Sequence, residues 1–393
     1  MSISVESPRG RAALMIAHCA GMVDLVALSM WVGVLTTHYG FDAQQAGGLP
    51  TLFLTGVVLA SVALAPRFQR LPGRRVASVG FAISALSFWL AAGTSHYAAL
   101  AALHALAGLA AGSALSVTHG TIARSANPHR LFALVGIALG VFAVVFLAGT
   151  PQLIAAFRGT ALFHTFAGVM AVGALASALA FPAPAPLPAA TTHSGTGLPG
   201  LPRVVWFGIA GIACMTLVQA MTFSFLENVG IHRGFTQQAI NGVLIAIGLV
   251  NLFPAALAAL LEKRLAARRV VLTGPVVQLA LAATIMLSPV FGPYAFAGSV
   301  LAAVMVFTHT FAFGLLSRLD TSGRALAATP AMLMVGSAIG PFLGGTLITL
   351  SGYEALALAA ACLAVTAVSC FSRLPAVSKG TPAVDSVREL RLG

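Results

Sequence analysis

The chain has 393 residues, of which 59% are hydrophobic and only 8% charged. A water-soluble domain carries about 25% charged residues, so this composition excludes a soluble globular protein and calls for a surface covered by lipid. The formal net charge is +12, which raises nucleic acid as a partner until the positions of the charges are considered.

A helix needs roughly 20 apolar residues to cross a bilayer, and twelve such spans are predicted. In chain order they cover 12–37, 46–66, 76–94, 98–123, 132–156, 161–181, 205–231, 238–261, 270–289, 295–317, 326–350 and 355–374. The first apolar run is long enough to span, so it reads as the first helix and not as a cleaved signal. Between spans 6 and 7 the composition changes. Pro182, Pro184, Pro186, Pro188, Pro199 and Pro202 alternate with small and polar residues, the pattern of an extended, partly flexible linker. The expected organisation is a six-helix bundle over 1–181, a linker over 182–204, a second six-helix bundle over 205–374 and a polar tail over 375–393.

With both termini in the cytoplasm, every lysine and arginine except Arg158 and Arg233 falls in a cytoplasmic segment. This is the positive-inside bias. It sets the topology and accounts for the basic excess without an acidic partner, so nucleic acid is not expected. Cys19, Cys214, Cys362 and Cys370 all fall within spans, where burial as small apolar side chains is expected and no disulfide framework is implied.

Residues 38–76 return without a gap at 232–270. His38, Gly40, Phe41, Gln44, Gly48, Arg74, Arg75 and Val76 match His232, Gly234, Phe235, Gln238, Gly242, Arg268, Arg269 and Val270, all at an offset of 194. Arg124 and Arg130 match Arg318 and Arg324 at the same offset. Two similar membrane halves in one orientation point to a transporter whose substrate site lies between the halves.

Two loop motifs extend this. The loop after span 2 ends Gly73-Arg74-Arg75, preceded by Arg70, Leu71 and Pro72. The loop after span 8 carries Glu262, Lys263 and Arg264, then Ala267-Arg268-Arg269. These resemble the G-x-x-x-D-R-x-G-R-R loop of the major facilitator superfamily and its weaker second copy. The resemblance covers nearly the whole chain and implies an all-α fold of twelve transmembrane helices in two six-helix bundles. It also implies a gating role for Arg70, Arg74, Arg75, Glu262, Arg268 and Arg269, although the acidic position is empty in the first copy. Span 11 holds G-x-x-x-G-P-x-x-G-G as Gly336, Gly340, Pro341, Gly344 and Gly345. Drug–proton antiporters of the family carry that pattern in span 5. Here span 5 has Val144 and Val145 where the glycine pair would stand. Close packing through small residues is the plainer reading of span 11.

Only two of the nine acidic residues, Asp24 and Glu227, lie well inside spans. A membrane-embedded carboxylate costs a few kcal/mol and is usually kept for a substrate, ion or proton path. By the family's architecture, spans 1, 4, 7 and 10 line the central cavity, so both acids are proton-coupling candidates. At 100° per residue Asp24 shares a face with Leu28, Trp31 and Leu35, while His18, Met22, Ser29 and Thr36 share another. If Asp24 faces the cavity, so does Trp31. Thr216, Gln219 and Glu227 fall in one arc of span 7. The substrate-lining candidates are therefore Trp31, His104, Thr216, Gln219 and His309.

No lysine or arginine sits inside a span, which disfavours strongly anionic cargo. The expected function is proton-coupled movement of a small neutral or cationic organic molecule by alternating access. The family's commonest span-1 acid leans towards export. Alternatives are uptake of a metabolite, transition-metal transport through His18, Met22, Met305 and His309, or a non-transporting membrane receptor. No cofactor, resident metal or enzymatic cluster is expected. A monomer in the bacterial inner membrane is the expected state.

Overall fold

The computed structural model describes residues 3–64, 71–183, 202–262, 264–319 and 329–375. Arg70, most of the predicted linker and nearly all of the predicted tail lie outside them. Among the described residues the regular structure is helical. Span 1 is two helices, α1 (Pro8–Gly21) and α2 (Val23–Thr37). It is followed by α3 (Ala43–Leu64), α4 (Gly73–Ala92), α5 (Tyr97–Ala123), α6 (Pro128–Phe157) and α7 (Thr160–Ala180). The second half holds α8 (Arg203–Ser224), α9 (Leu226–His232), α10 (Gln237–Val250), α11 (Pro254–Leu261), α12 (Ala267–Leu287), α13 (Phe291–Leu319), α14 (Thr329–Ser351) and α15 (Glu354–Ser372).

Eleven helices among the described residues are long and apolar enough to cross a membrane, with α1 and α2 counted together. The remaining predicted span is α10 plus α11. It breaks at 251–253, where Pro254, lacking an N–H, opens α11. The breaks at Met22 and Phe225 involve no proline, so no local sequence signal announces them.

Several helix starts are set by side-chain caps. Ser7 Oγ accepts from Gly10 N at 3.1 Å, Asn127 Oδ1 from Arg130 N at 3.0 Å and Thr236 Oγ1 from Ala239 N at 3.2 Å. Each satisfies one of the N–H groups that a helix start leaves free. The capped start at Pro8 lengthens the first span beyond its predicted beginning at 12.

The two faces of the bundle follow from the alternation of the helices. One carries the start of α1, the 124–127 turn, the start of α4 and the end of α15, and is termed the terminal face. The other, the far face, carries the 38–42, 93–96, 158–159, 233–236 and 352–353 turns. The repeat is visible in the contacts. On the terminal face Arg74 bonds the carbonyl of Ala178 through Nε at 2.8 Å and through Nη2. At the equivalent place Arg268 bonds Ser372 O and Leu374 O, each at 3.2 Å. On the far face Gly40 and Gly234 both adopt left-handed backbone, φ +70° and +83°. That conformation costs an L side chain about 1–2 kcal/mol, a physical reason for glycine at both places.

Small residues set the helix spacing. A Cβ on Gly108 of α5 would collide with the backbone of Phe53 in α3. The span-11 glycine pattern serves two surfaces. Gly336, Gly340 and Gly344 seat α14 on α8 and its end at Phe225, while Pro341 and Gly345, one position round, meet Gly47 and Ala43 of α3 in the other half. Cys362 is exposed on the outer surface, contrary to the expected burial of all four thiols. In a bilayer an exposed cysteine meets hydrocarbon much as a buried one does.

Candidate functional site

Helix α2 has two faces with different neighbours. Met22, Leu25, Ser29, Gly33 and Thr36 fall within an arc of about 80° at 100° per residue. This arc looks at the second half of the chain. Ser29 Oγ accepts from the backbone N–H of Glu227 at 3.2 Å, and Thr36 Oγ1 accepts from Asn228 Nδ2 at 2.6 Å. Between them, a Cβ on Gly33 would lie 2.7 Å from Cδ of Glu227 and 2.8 and 2.9 Å from its two oxygens. The absence of a side chain at Gly33 makes the space the carboxylate fills. Gly33 and Glu227 are also repeat partners at the offset of 194. Two positions related by a two-fold axis can touch only close to that axis, so the carboxylate of Glu227 sits near the centre of the molecule.

Glu227 is 6% exposed. Its Oε1 accepts from Gln237 Nε2 at 3.1 Å, and Gln237 also bonds Asn241. Oε2 of Glu227 and Oδ1 of Asn228 are buried with no partner. A buried polar atom without a partner costs about 1–3 kcal/mol, so the pair of orphan oxygens marks a place built to meet something polar.

This cluster belongs to a wider seam. Gln44 Nε2 donates to Thr346 Oγ1, and Phe342 N donates to Thr51 Oγ1, both at 3.1 Å. These bonds tie α3 to α14 in the half of the molecule nearer the far face. On the flank, α6 packs on α10 where Val144 meets Gly248 and Leu252 meets Gly140. Nearer the terminal face the arc of α2 loses its cover. Leu25 is 46% exposed, and its repeat partner Gln219 is half-buried with Oε1 unpartnered. Among the described residues the hydrogen bonds between the halves lie towards the far face, and below Ser29 the arc of α2 is exposed at Leu25.

The opposite face of α2 turns into its own half. Asp24, Leu28, Trp31 and Leu35 are all buried there. Trp31 is surrounded by Phe53, Phe88, His104 and Phe166, with ring centroids 4.7–5.8 Å away. His104 Nε2 accepts from Trp31 Nε1 at 3.3 Å, and Nδ1 donates to Leu100 O at 2.7 Å, an assignment of the ring proton made from its partners. Trp31 and His104 were expected to line a central cavity. Both are wholly buried in an aromatic core of the first half, because the arc carrying Ser29 and Gly33 is the one turned to the other half. Asp24 sits buried at the first turn of α2. The structure thus separates the two acids: Glu227 stands between the halves and Asp24 inside one of them.

Thr216 also turns from the expected wall. Its hydroxyl bonds Ile212 O and Ala213 O of its own helix and abuts Gly336 of α14. His309 stacks on Phe313 at 4.9 Å within the second half. His18, expected beside Met22, instead meets His119, with Nδ1 3.0 Å from Nε2. His18 and His309 therefore belong to different halves. Among the described residues no group of three or more His, Cys, Asp or Glu converges as a metal would need.

The contacts of the gating candidates lie within halves. Arg74 and Arg268 staple the start of one helix to the end of the last helix of their own half, as given above. Glu262 pairs with Arg318 at 3.4 Å inside the second half, both side chains more than half exposed. Arg75 and Arg269 are exposed on the terminal face. Sequence reasoning missed Gly33, Ser29, Thr36, Asn228 and Gln237. The offset-194 alignment already set Gly33 opposite Glu227 and was the one signal that could have found the first of them.

The sequence pattern of the Major Facilitator Superfamily matches residues 14–322. Comparison with curated proteins gives no match. Among solved structures, a D-xylose–proton symporter superposes with a TM-score of 0.72 at 14% identity, over 94% of this chain and 98% of that one. The nucleoside transporter NupG superposes with a TM-score of 0.69 at 13% identity, over 93% and 98%. A bacterial homolog of the human lysosomal transporter Spinster, inward-facing and unoccupied, gives 0.67 at 14% identity, over 94% and 95%. At these identities the likeness is one of fold. With the family pattern over residues 14–322, the repeat and the two joined halves, the chain belongs to the major facilitator superfamily and is a membrane transporter.

Proposed function

We propose that this protein is a proton-coupled secondary transporter of a small neutral or cationic organic molecule, with Glu227 as the coupling acid. The observation that carries the reading is the carboxylate of Glu227, seated on Gly33 between the halves with one oxygen unpartnered. A protonated Glu227 fits that seat. An ionised one is costly there and favours separation of the halves or an incoming cation. Asp24 is proposed as a second proton site, acting within the first half. Gln219, half-buried with Oε1 unpartnered, is the proposed substrate contact.

The charge distribution favours a cytoplasmic terminal face. The exposed Leu25 and half-buried Gln219 would then face inward, and cargo loaded there would be exported. The bacterial inner membrane is the proposed location.

The test is solute-driven proton movement in proteoliposomes, read with an internal pH dye across a panel of neutral and cationic metabolites and antibiotics. Wild type should move protons only with a transported solute, and Glu227→Gln should abolish that movement while keeping solute binding. Full proton-linked flux in Glu227→Gln would remove Glu227 from the mechanism. Loss in Asp24→Asn alone would transfer the role to the other acid.

A further inference from the structure

The first half has a deep apolar crevice that the transport reading leaves unused. It lies between α1, α6 and α7, encloses about 1130 Å³, and is lined by Ile16, Phe142, Leu153, Phe157, Gly168 and Val172 among others. Its exposed lining residues, such as Leu153, Phe157 and Val172, lie on the outer surface of the bundle. The polar side chains along it are already engaged. His164 Nδ1 bonds Thr160 O at 3.0 Å and Thr165 Oγ1 donates to Ala161 O at 2.8 Å. What the crevice offers an occupant is hydrocarbon.

Its length selects the occupant. Along α7 the lining runs from Thr160 to Val172, about 18 Å at 1.5 Å per residue. One leaflet of bilayer hydrocarbon is about 15 Å thick, half of roughly 30 Å. The far-face end of the crevice lies at Phe157 and Thr160, and Arg158 stands between these two. Arg158 has φ +66° and ψ −170°, a backbone region used almost only by glycine. At the repeat-equivalent position the second half also has a positive φ, +78°, but with Gly352. The first half therefore carries a cationic side chain where its own twin uses glycine, and it bears the conformational cost. Among the described residues the far face has just one other lysine or arginine, Arg233. That side chain bonds Met286 O and lies 3.8 Å from Glu354, whereas Arg158 has no such partner among the described residues.

We propose that this crevice holds one acyl chain of an anionic phospholipid, with the headgroup phosphate bound by Arg158. The charge of the guanidinium complements the phosphate, and the apolar walls take the chain.

Gly168 gives a direct test, because a Cβ there meets nothing within 4 Å. Gly168→Leu projects an apolar side chain into the crevice from a Cβ with open space around it and also favours the helix. Native mass spectrometry of the purified protein, given equal phosphatidylglycerol and phosphatidylcholine, should show one retained phosphatidylglycerol on wild type. Gly168→Leu should lower its occupancy about tenfold, and Arg158→Gln should lower the preference for phosphatidylglycerol by a similar factor. A second measurement does not depend on Gly168. A tryptophan at Val172, a position 57% exposed, should be quenched more strongly by chain-brominated phosphatidylglycerol than by brominated phosphatidylcholine. Equal lipid retention in Gly168→Leu and wild type, or equal quenching by the two lipids, overturns the proposal. Unchanged preference in Arg158→Gln overturns the headgroup assignment.

Discussion

Gly33→Ala is the smallest change that reports on how the halves are joined. The added Cβ would lie 2.7–2.9 Å from three atoms of the Glu227 carboxyl group. Ordinary contact begins near 3.4 Å, so the overlap is about 0.5–0.7 Å; the carboxyl group ends a flexible side chain and relieves part of this by leaving its seat, so the cost is at most about the 1–3 kcal/mol of overpacking. The alanine also improves the helix by about 1 kcal/mol, but in every conformation, so that gain does not shift the balance between them. The clash acts only where Glu227 is seated on α2. A bias of at most about 1–3 kcal/mol moves a two-state equilibrium by at most about 5- to 150-fold, towards the state with the far-face seam parted. The assay is electron–electron spin distance measurement between labels at His96 and Ser288, one on each half, after replacement of Cys19, Cys214, Cys362 and Cys370. The distance distribution of Gly33→Ala should shift to longer values. Gly33→Ala combined with Glu227→Ala should restore the wild-type distribution, because the clash partner is gone. An unchanged distribution in the single variant, with the protein folded, would show that the contact does not hold the halves together.

Three further outcomes follow from the contacts. Arg74→Ala and Arg268→Ala should each lower thermal stability by about 1 kcal/mol, the value of charged but partly exposed bonds to backbone carbonyls. Transport per folded molecule should stay within about twofold, and lost transport at an unchanged melting temperature would mean these arginines gate after all. His104→Ala should cost about 3 kcal/mol, since it strands the indole N–H of Trp31 and empties space among aromatic rings. His104→Gln, which keeps an acceptor, should recover part of that in a melting assay, and equal losses would refute the bond. Glu6 is held below the usual carboxylate range by its hydrogen bond from Arg11 and by the backbone N–H of Ala126. A lowered folded-state pKa adds stability above the ordinary value of 4.5 and loses it as pH falls through the lower folded value. Amide exchange at Ala126 should therefore accelerate in acid relative to Glu6→Gln at the same pH, and identical acid responses in the two proteins would contradict the link.

The turns were more legible than the helix faces. Turn residues carry local information: Gly40 and Gly234 mark left-handed backbone, and Arg74 and Arg268 mark equivalent staples. Within the spans that information fades. Lipid and protein core are about equally apolar, so a membrane helix lacks the polar stripe that tells a soluble helix which way to turn. Asp24 with Trp31 and Ser29 with Thr36 were both readable as coherent faces of α2, and composition could not choose between them. The breaks at Met22 and Phe225 carry no proline and were unreadable for the same reason. The pairing of His18 with His119 joins positions 101 residues apart, and no local pattern contains it.

By itself the sequence determined that this is a membrane protein of two repeated helical halves with all but two of its lysines and arginines on one side, since bilayer thickness and charge placement act segment by segment. Tertiary structure decided which acid stands between the halves. That choice rests on the rotation of α2 and on the missing side chain at Gly33. Both matter only once the two halves lie against each other and a single Cβ decides whether the carboxylate of Glu227 has room.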